Sequence, residues 1–177
     1  MTTLRPIIVE GPDNSGKTTL ASALMARVKP WGIYLKSPAS RDIDWWFEYS
    51  HWVSHICHNI KPPFVPIMDR VPEIGELVYG YYYRGDCRLE HTVQSYQSWS
   101  QESLSPIVVI CRWQGITKEV EKTVTGENID ASGLREIDLL YGMMARLLGS
   151  SGLSVIEHRP MGMEKVEETV QMIEGVW

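Results

Sequence analysis

Ile7-Ile8-Val9-Glu10-Gly11-Pro12-Asp13-Asn14-Ser15-Gly16-Lys17-Thr18-Thr19-Leu20 is the stretch that decides the fold. The apolar run over 4–10 reads as a strand ending at Gly11. Over 16–28 the period becomes helical, with Leu20, Ala23, Leu24 and Val28 on one face. Between the two stands Gly-x-x-x-x-Gly-Lys-Thr, complete from Gly11 to Thr18. Glycines let the backbone close around a phosphate, and successive N–H groups at a helix N-terminus face the anion. Lys17 can reach the β- and γ-phosphates, and the Thr18 hydroxyl can ligate Mg²⁺. An ordinary strand-turn-helix joint would need none of these residue types. The stretch therefore implies a bound nucleoside triphosphate, held by Gly11, Pro12, Asp13, Asn14, Ser15, Gly16, Lys17, Thr18 and Thr19.

Outward from this loop, strands and helices alternate. Strands are expected over 31–35, 64–68, 106–111 and 153–157, the fourth (Pro106-Ile107-Val108-Val109-Ile110-Cys111) apolar enough to be buried on both faces. Helices are expected over 43–59 on Trp45, Tyr49, Trp52, Val53 and Ile56, and from Pro72 on Ile74, Leu77, Val78 and Tyr81. Others are expected over 90–102, on Ile137, Leu140, Tyr141, Met144 and Leu148, and on Met163, Val166, Val170 and Ile173. That alternation predicts a parallel sheet covered on both faces, in one domain spanning 1–177. The 177 residues carry 17 Lys and Arg against 22 Asp and Glu, a net charge of −5, which disfavours a coat for DNA or anionic membrane. Three cysteines, Cys57, Cys87 and Cys111, lie far apart without a C-x-x-C, so neither a disulfide framework nor a cysteine zinc site is expected. No apolar run is long enough to span a membrane and no leader pattern opens the chain, so a cytoplasmic protein is expected.

A second anchor is the strand ending at Asp69, followed by Arg70. It sets a carboxylate where the Mg²⁺ of a phosphate loop would sit and a guanidinium where charge develops on a transferring phosphoryl group. The plainer reading is a surface pair capping the Pro72 helix. Glu10-Gly11-Pro12-Asp13-Asn14-Ser15-Gly16-Lys17-Thr18-Thr19 resembles the EGxDxxGKTT loop of thymidylate kinases, and Asp69-Arg70 resembles that family's DR motif. Gly75-Glu76-Leu77-Val78-Tyr79-Gly80 is similar to the family's SxxAYQG helix start, with one extra residue after the Arg, and Tyr83-Arg84-Gly85 matches its RG element. The whole looks like the short bacteriophage-type members.

The resemblance implies a three-layer P-loop nucleoside monophosphate kinase fold with a five-stranded parallel sheet and helices on both faces. It implies Mg²⁺- and ATP-dependent phosphoryl transfer to a deoxynucleoside monophosphate, dTMP to dTDP first. Lys17, Asp13, Asp69 and Arg70 would be catalytic, and Thr18 and Asp69 the metal ligands. Arg41, Tyr79 and Arg84 would join Asp13, Asp69 and Arg70 around the acceptor, with Asp13 on the sugar. Because position 14 is Asn, the chain looks like a type that draws basic residues from a lid, here about 112–128. Lys118 and Lys122 are the nearest lid candidates and Arg112, at its base, a phosphate contact; a solvated face is the competing reading. A homodimer is implied by analogy.

The departures are Gly75 for the family's Ser, Val71 after the Arg, and Lys36-Ser37-Pro38-Ala39-Ser40-Arg41 in place of TREPGG. They leave two alternatives standing: a kinase acting on a hydroxyl, of a nucleoside or of a hydroxymethylpyrimidine base in phage DNA, and a non-catalytic nucleotide-binding regulator. Among the remaining aromatics, Trp45, Tyr49 and Trp52 read as core, Trp46 and Phe47 as free to stack, and Trp113 as an even choice between packing and adenine. His51, His55 and His58 share a helix face without acidic companions and read as solvated. Arg88 is a lesser candidate for an acceptor phosphate.

Overall fold

The computed structural model describes residues 5–37, 48–49, 51–52, 55, 59, 63–85, 105–115 and 129–177. Five strands form one parallel sheet: β1 (Ile7–Glu10), β2 (Gly32–Lys36), β3 (Val65–Asp69), β4 (Ile107–Cys111) and β5 (Ser154–His158). Their order across the sheet is β2-β3-β1-β4-β5. Helix α1 (Lys17–Arg27) follows β1. After β3 comes a continuous helical stretch of three parts: α2 (Pro72–Gly75), a π-helical turn (Glu76–Gly80) and α3 (Tyr81–Arg84). Helix α4 (Ala131–Ser150) precedes β5, and α5 (Met163–Glu174) follows it.

The alternation of side chains along each strand builds three layers. Ile8, Met68, Val108 and Ile110 face one side, where they pack with Ile74, Leu77, Ile137, Tyr141 and Leu148 of α2, the π turn and α4. Ile7, Val9, Ile67, Val109 and Cys111 face the other, against Leu20 and Leu24 of α1 and Val166, Val170 and Ile173 of α5. Strand β4 is buried along its whole length, as its nearly unbroken apolar run requires. The expected P-loop kinase architecture, a parallel five-stranded sheet with helices on both faces, is the one observed.

Three packing expectations fail, the simplest at Met163, which is 68% exposed as the first residue of α5. Tyr81 was expected on the buried face of the Pro72 helix, yet it is 49% exposed while Ile74 and Val78 are buried. The π turn holds one residue more than an α turn, so everything beyond it is rotated and Tyr81 leaves the core. Trp52 was expected in the core with Tyr49. Tyr49 is buried, but Trp52 is 44% exposed and only its tilted ring meets Tyr49, at 5.7 Å between centroids. Glu48, Tyr49, His51, Trp52, His55 and Asn59 are helical, and His51 and His55 are exposed as expected of a solvated face. The expected helix over 90–102, the cysteines at 57 and 87, and Trp45, Trp46, Phe47, His58 and Arg88 lie outside the described residues.

Candidate nucleotide site

The sheet register brings the two sequence anchors together. Val9 of β1 pairs with Asp69 of β3, so the loop after β1 and the Asp69-Arg70 pair emerge side by side at the carboxyl edge of the sheet. Open α/β sheets bind their ligands at that edge. The loop's glycines meet specific demands. Gly11 has φ 147°, and a Cβ there would overlap the Cys111 carbonyl oxygen of the neighbouring strand. Gly16, with φ 81°, opens α1, and a Cβ on it would stand 2.9 Å from Cβ of Pro160. Asn14 sits at φ 60°, a conformation its short amide side chain tolerates.

The first helical bond of α1 runs from Leu20 N to Gly16 O at 3.0 Å, which leaves the amides just before it pointing out of the helix N-terminus. The Ser15 hydroxyl is buried and has no hydrogen-bond partner among the described residues. Such a group suits an acceptor-rich ligand such as a phosphate chain. Lys17 is 8% exposed and donates to Gly11 O at 2.9 Å and Pro12 O at 2.5 Å, so its ammonium lies inside the loop it belongs to. Burial, reinforced by the nearby Arg70 guanidinium, lowers its pKa to about 8.

At the end of β3, Asp69 is nearly buried, and its Oδ2 accepts a 2.6 Å hydrogen bond from the Tyr34 hydroxyl of β2. Arg70 follows at φ 73°, a left-handed conformation that costs a non-glycine residue about 1 kcal/mol or more. Its amide donates to Val9 O at 3.0 Å, fixing the backbone to β1. Its guanidinium ion-pairs with Asp13 of the loop and lies over the Tyr79 ring, 5.5 Å from the centroid. A strained residue whose side chain is held from two sides marks a position shaped by its charge.

Glu10 ties this corner to the rest of the molecule. It is fully buried, its Oε1 accepts from Val71 N at 2.6 Å, and its Oε2 accepts from the Tyr141 hydroxyl of α4 at 3.1 Å. Burial pushes its pKa up to about 7 against the opposing pull of Arg70, the Val71 amide, Lys17 and the Tyr141 hydroxyl. The folded pKa thus lies above the ordinary glutamate value of about 4.5, so the folded state binds more protons than the unfolded one between about 4.5 and about 7. Stability conferred by the wild type over Glu10→Gln should therefore fall as pH rises through that window and level off above it. Urea unfolding of both proteins across the window reads this directly, and an identical slope in both would show that Glu10 titrates as an ordinary carboxyl.

The other expected residues divide. Tyr79 joins the site beneath Arg70 and meets the Tyr141 ring edge-on at 6.3 Å. Arg84 is half-exposed and ion-pairs with Glu76 across the π turn. Arg112 is bound on both sides: Nε and Nη2 donate to Asp138 at 3.0 and 2.7 Å, and Nη1 donates to Glu157 at 2.8 Å. The lid-base residue expected to touch phosphate thus has its guanidinium taken up by two carboxylates. Trp113 anchors through its amide, which donates to Asp138 at 2.8 Å. Thr18 and Thr19 are exposed at the start of α1. Arg41, Lys118 and Lys122 lie outside the described residues.

Sequence reasoning missed Glu10 and Tyr34. Glu10 had a signal, a lone charge closing an otherwise apolar strand, whereas nothing in the sequence points from Tyr34 to Asp69.

The residues fit a magnesium nucleotide. Mg²⁺ keeps most of its waters and needs only one or two protein oxygens beside the phosphates, which Asp69 and Thr18 can supply. Among the described residues no cluster of three or more His, Cys, Asp or Glu offers a site for a metal without phosphates.

The sheet order and the loop together define the P-loop nucleotide kinase fold. No protein-family model matches the sequence, and no curated protein matches it. Solved structures do match. The YorR protein of Bacillus subtilis, determined in complex with phosphorylated GDP, is 20% identical, with TM-score 0.63 over 95% of both chains. The thymidylate kinase of Ehrlichia chaffeensis is 16% identical, with TM-score 0.59 over 98% of this chain and 100% of its own. The deoxyadenosine kinase of M. mycoides, determined with the products dCMP and dCDP, is 12% identical, with TM-score 0.60 over 97% and 100%.

Proposed function

We propose that the chain is a single-domain, Mg²⁺- and ATP-dependent nucleotide kinase whose acceptor is a deoxynucleoside monophosphate, dTMP foremost. The observation that carries this reading is Arg70, held at φ 73° between Asp13 of the phosphate loop and Tyr79 of the helix that follows. One guanidinium placed between the donor loop and the acceptor side suits a charge shared by two phosphates. The likeness in fold to the Ehrlichia thymidylate kinase supports it.

In this reading the loop amides, the Ser15 hydroxyl and Lys17 cradle the β- and γ-phosphates. Mg²⁺, held through Thr18 and Asp69, would neutralise charge between them. An oxygen of the acceptor phosphate attacks the γ-phosphorus as the bond to the bridging oxygen breaks, and Arg70 stabilises the charge spread over the transferring group. The attacking oxygen is already anionic, so no general base is required and the catalytic contribution is alignment and charge. Asp13 would take the acceptor sugar hydroxyl. Arg84, if released from Glu76, and Arg41 would hold the acceptor phosphate, with Lys118 and Lys122 as lid residues. ATP and monophosphate acceptors place the work in the cytoplasm, that of the host if the chain is of the phage type, and the reading includes a homodimer. No helix among the described residues is long and apolar enough to cross a membrane.

The deoxyadenosine kinase neighbour favours one second reading, phosphorylation of a nucleoside hydroxyl. Transfer from γ-labelled ATP with Mg²⁺ separates the two. The acceptors are dTMP, dUMP, dGMP, dAMP, dCMP, the free nucleosides and DNA with hydroxymethyluracil. Label in dTDP is the expected result. Label confined to nucleoside 5′-phosphates, or to the modified DNA, overturns the monophosphate reading.

Asp13→Ala sharpens the test. A hydrogen bond to a charged group contributes about 1.5–3 kcal/mol, so the acceptor KM should rise about tenfold or more while ATP affinity stays within about threefold. An unchanged acceptor KM removes Asp13 from the sugar.

A further inference from the structure

Asp69 carries a nearly buried carboxylate, and a buried carboxylate needs a donor. Among the described residues the only side chain that donates to it is Tyr34, whose hydroxyl meets Oδ2 at 2.6 Å. That distance lies in the range of short O–H···O⁻ bonds, which are about twice as strong as neutral ones.

The reach is set by the register. On β2 it is Lys36 that stands opposite Asp69, while Tyr34 stands opposite Ile67. The phenol must therefore extend along the strand by two residues, about 6.6 Å of rise, before it can donate to Asp69. A serine or threonine at this position would fall short.

The same ring forms one wall of an open groove of about 350 Å³ whose other walls include Thr18, Ser22 and Met25 of α1. Tyr34 thus shares a groove with Thr18 and a hydrogen bond with Asp69, the two residues assigned to the Mg²⁺ shell.

We infer that Tyr34 is a positioning residue for the metal: by holding Oδ2 of Asp69, it turns Oδ1 toward the Mg²⁺ of the bound nucleotide. The inference rests on the kinase reading above, specifically on Asp69 facing the metal. Tyr34 itself touches neither nucleotide nor metal. Lengthening or loss of its bond would leave the carboxylate free to rotate, and partners of this kind typically contribute about 10- to 100-fold in metal affinity.

The experiment measures ATP binding by calorimetry at a series of Mg²⁺ concentrations for wild type, Tyr34→Phe and Asp69→Asn, with the melting temperature of each free protein. Tyr34→Phe should raise the Mg²⁺ concentration for half-maximal ATP binding by about tenfold. ATP affinity at saturating Mg²⁺ should stay close to wild type, while the melting temperature should fall by a few degrees because a nearly buried carboxylate loses its donor. A Tyr34→Phe protein with an unchanged midpoint, beside an Asp69→Asn protein whose midpoint rises, overturns the role of Tyr34 and leaves Asp69 on the metal. Unchanged midpoints in both variants overturn the metal role of Asp69 and the inference together. A lowered melting temperature with an unshifted Mg²⁺ midpoint makes Tyr34 a structural residue only, and also overturns it.

Discussion

Arg70→Gly should abolish phosphoryl transfer while leaving the protein folded. Charge stabilisation by a positioned arginine contributes about 10³- to 10⁵-fold to phosphoryl transfer, so kcat should fall by at least the lower figure. Glycine is the informative replacement because Arg70 sits at φ 73°, where alanine would keep the backbone strain and glycine releases it. The variant loses the ion pair to Asp13 and the contact with Tyr79, and gains relief of that strain. Its melting temperature should consequently remain within a few degrees of wild type, a shift of about 1 kcal/mol or less. ATP affinity should hold, since the loop amides and Lys17 are untouched. Arg70→Lys should recover only part of the rate, because an ammonium cannot present two parallel N–H groups to an oxyanion. Single-turnover transfer and ATP titration on the same preparation distinguish these effects. A glycine variant that still transfers at the wild-type rate would move the catalytic charge to another residue.

Gly11→Ala should be the most destabilising single change in the loop, by about 3 kcal/mol or more. The added methyl would overlap the carbonyl oxygen of Cys111 and stand 2.8 Å from the Ser15 hydroxyl, at a φ of 147° that side chains rarely adopt. Relief cannot come from a flexible side chain, because the obstacle is the backbone of β4. Displacing that strand would disturb pairing at the centre of the sheet, where Glu10 stands opposite Ile110. Gly85→Ala makes the control: its φ is 67°, but nothing lies within 4 Å of the new methyl, so only backbone strain of about 1 kcal/mol is added. Urea midpoints of the two variants should therefore differ widely. Equal midpoints would mean that β4 yields to the methyl.

The sheet was legible because its strands carry their own punctuation. Residues 65–68 and Ile107–Cys111 are apolar, the first run ending at Asp69, so the number of strands and their parallel sense follow from spacing, whereas the order β2-β3-β1-β4-β5 does not. The loop was legible because phosphate chemistry restricts which residues can stand at Gly11, Gly16, Lys17 and Thr18. The arrangement of charge around the loop was not. Arg112 reads in sequence as a basic residue at the root of a charged segment. Only the fold brings it against Asp138 and Glu157, which are 26 and 45 residues away. Glu10 likewise meets Tyr141 across 131 residues. Contacts of that separation leave no periodic trace. The face of Tyr81 was misread because a fixed helical period cannot anticipate a turn with a surplus residue.

That turn, Glu76–Gly80, separates two kinds of constraint. Upstream, Asp69, Arg70 and Val71 are fastened to β1 through Val9 and Glu10, so their positions are settled before the turn begins. Downstream, Tyr81, Tyr83 and Arg84 stand largely in the open. The surplus residue of the turn thus stands at the joint between a fastened half and an open one. In the kinase reading proposed above, substitutions at Tyr81, Tyr83 and Arg84 would therefore alter acceptor contacts while the fastened phosphate side keeps its geometry.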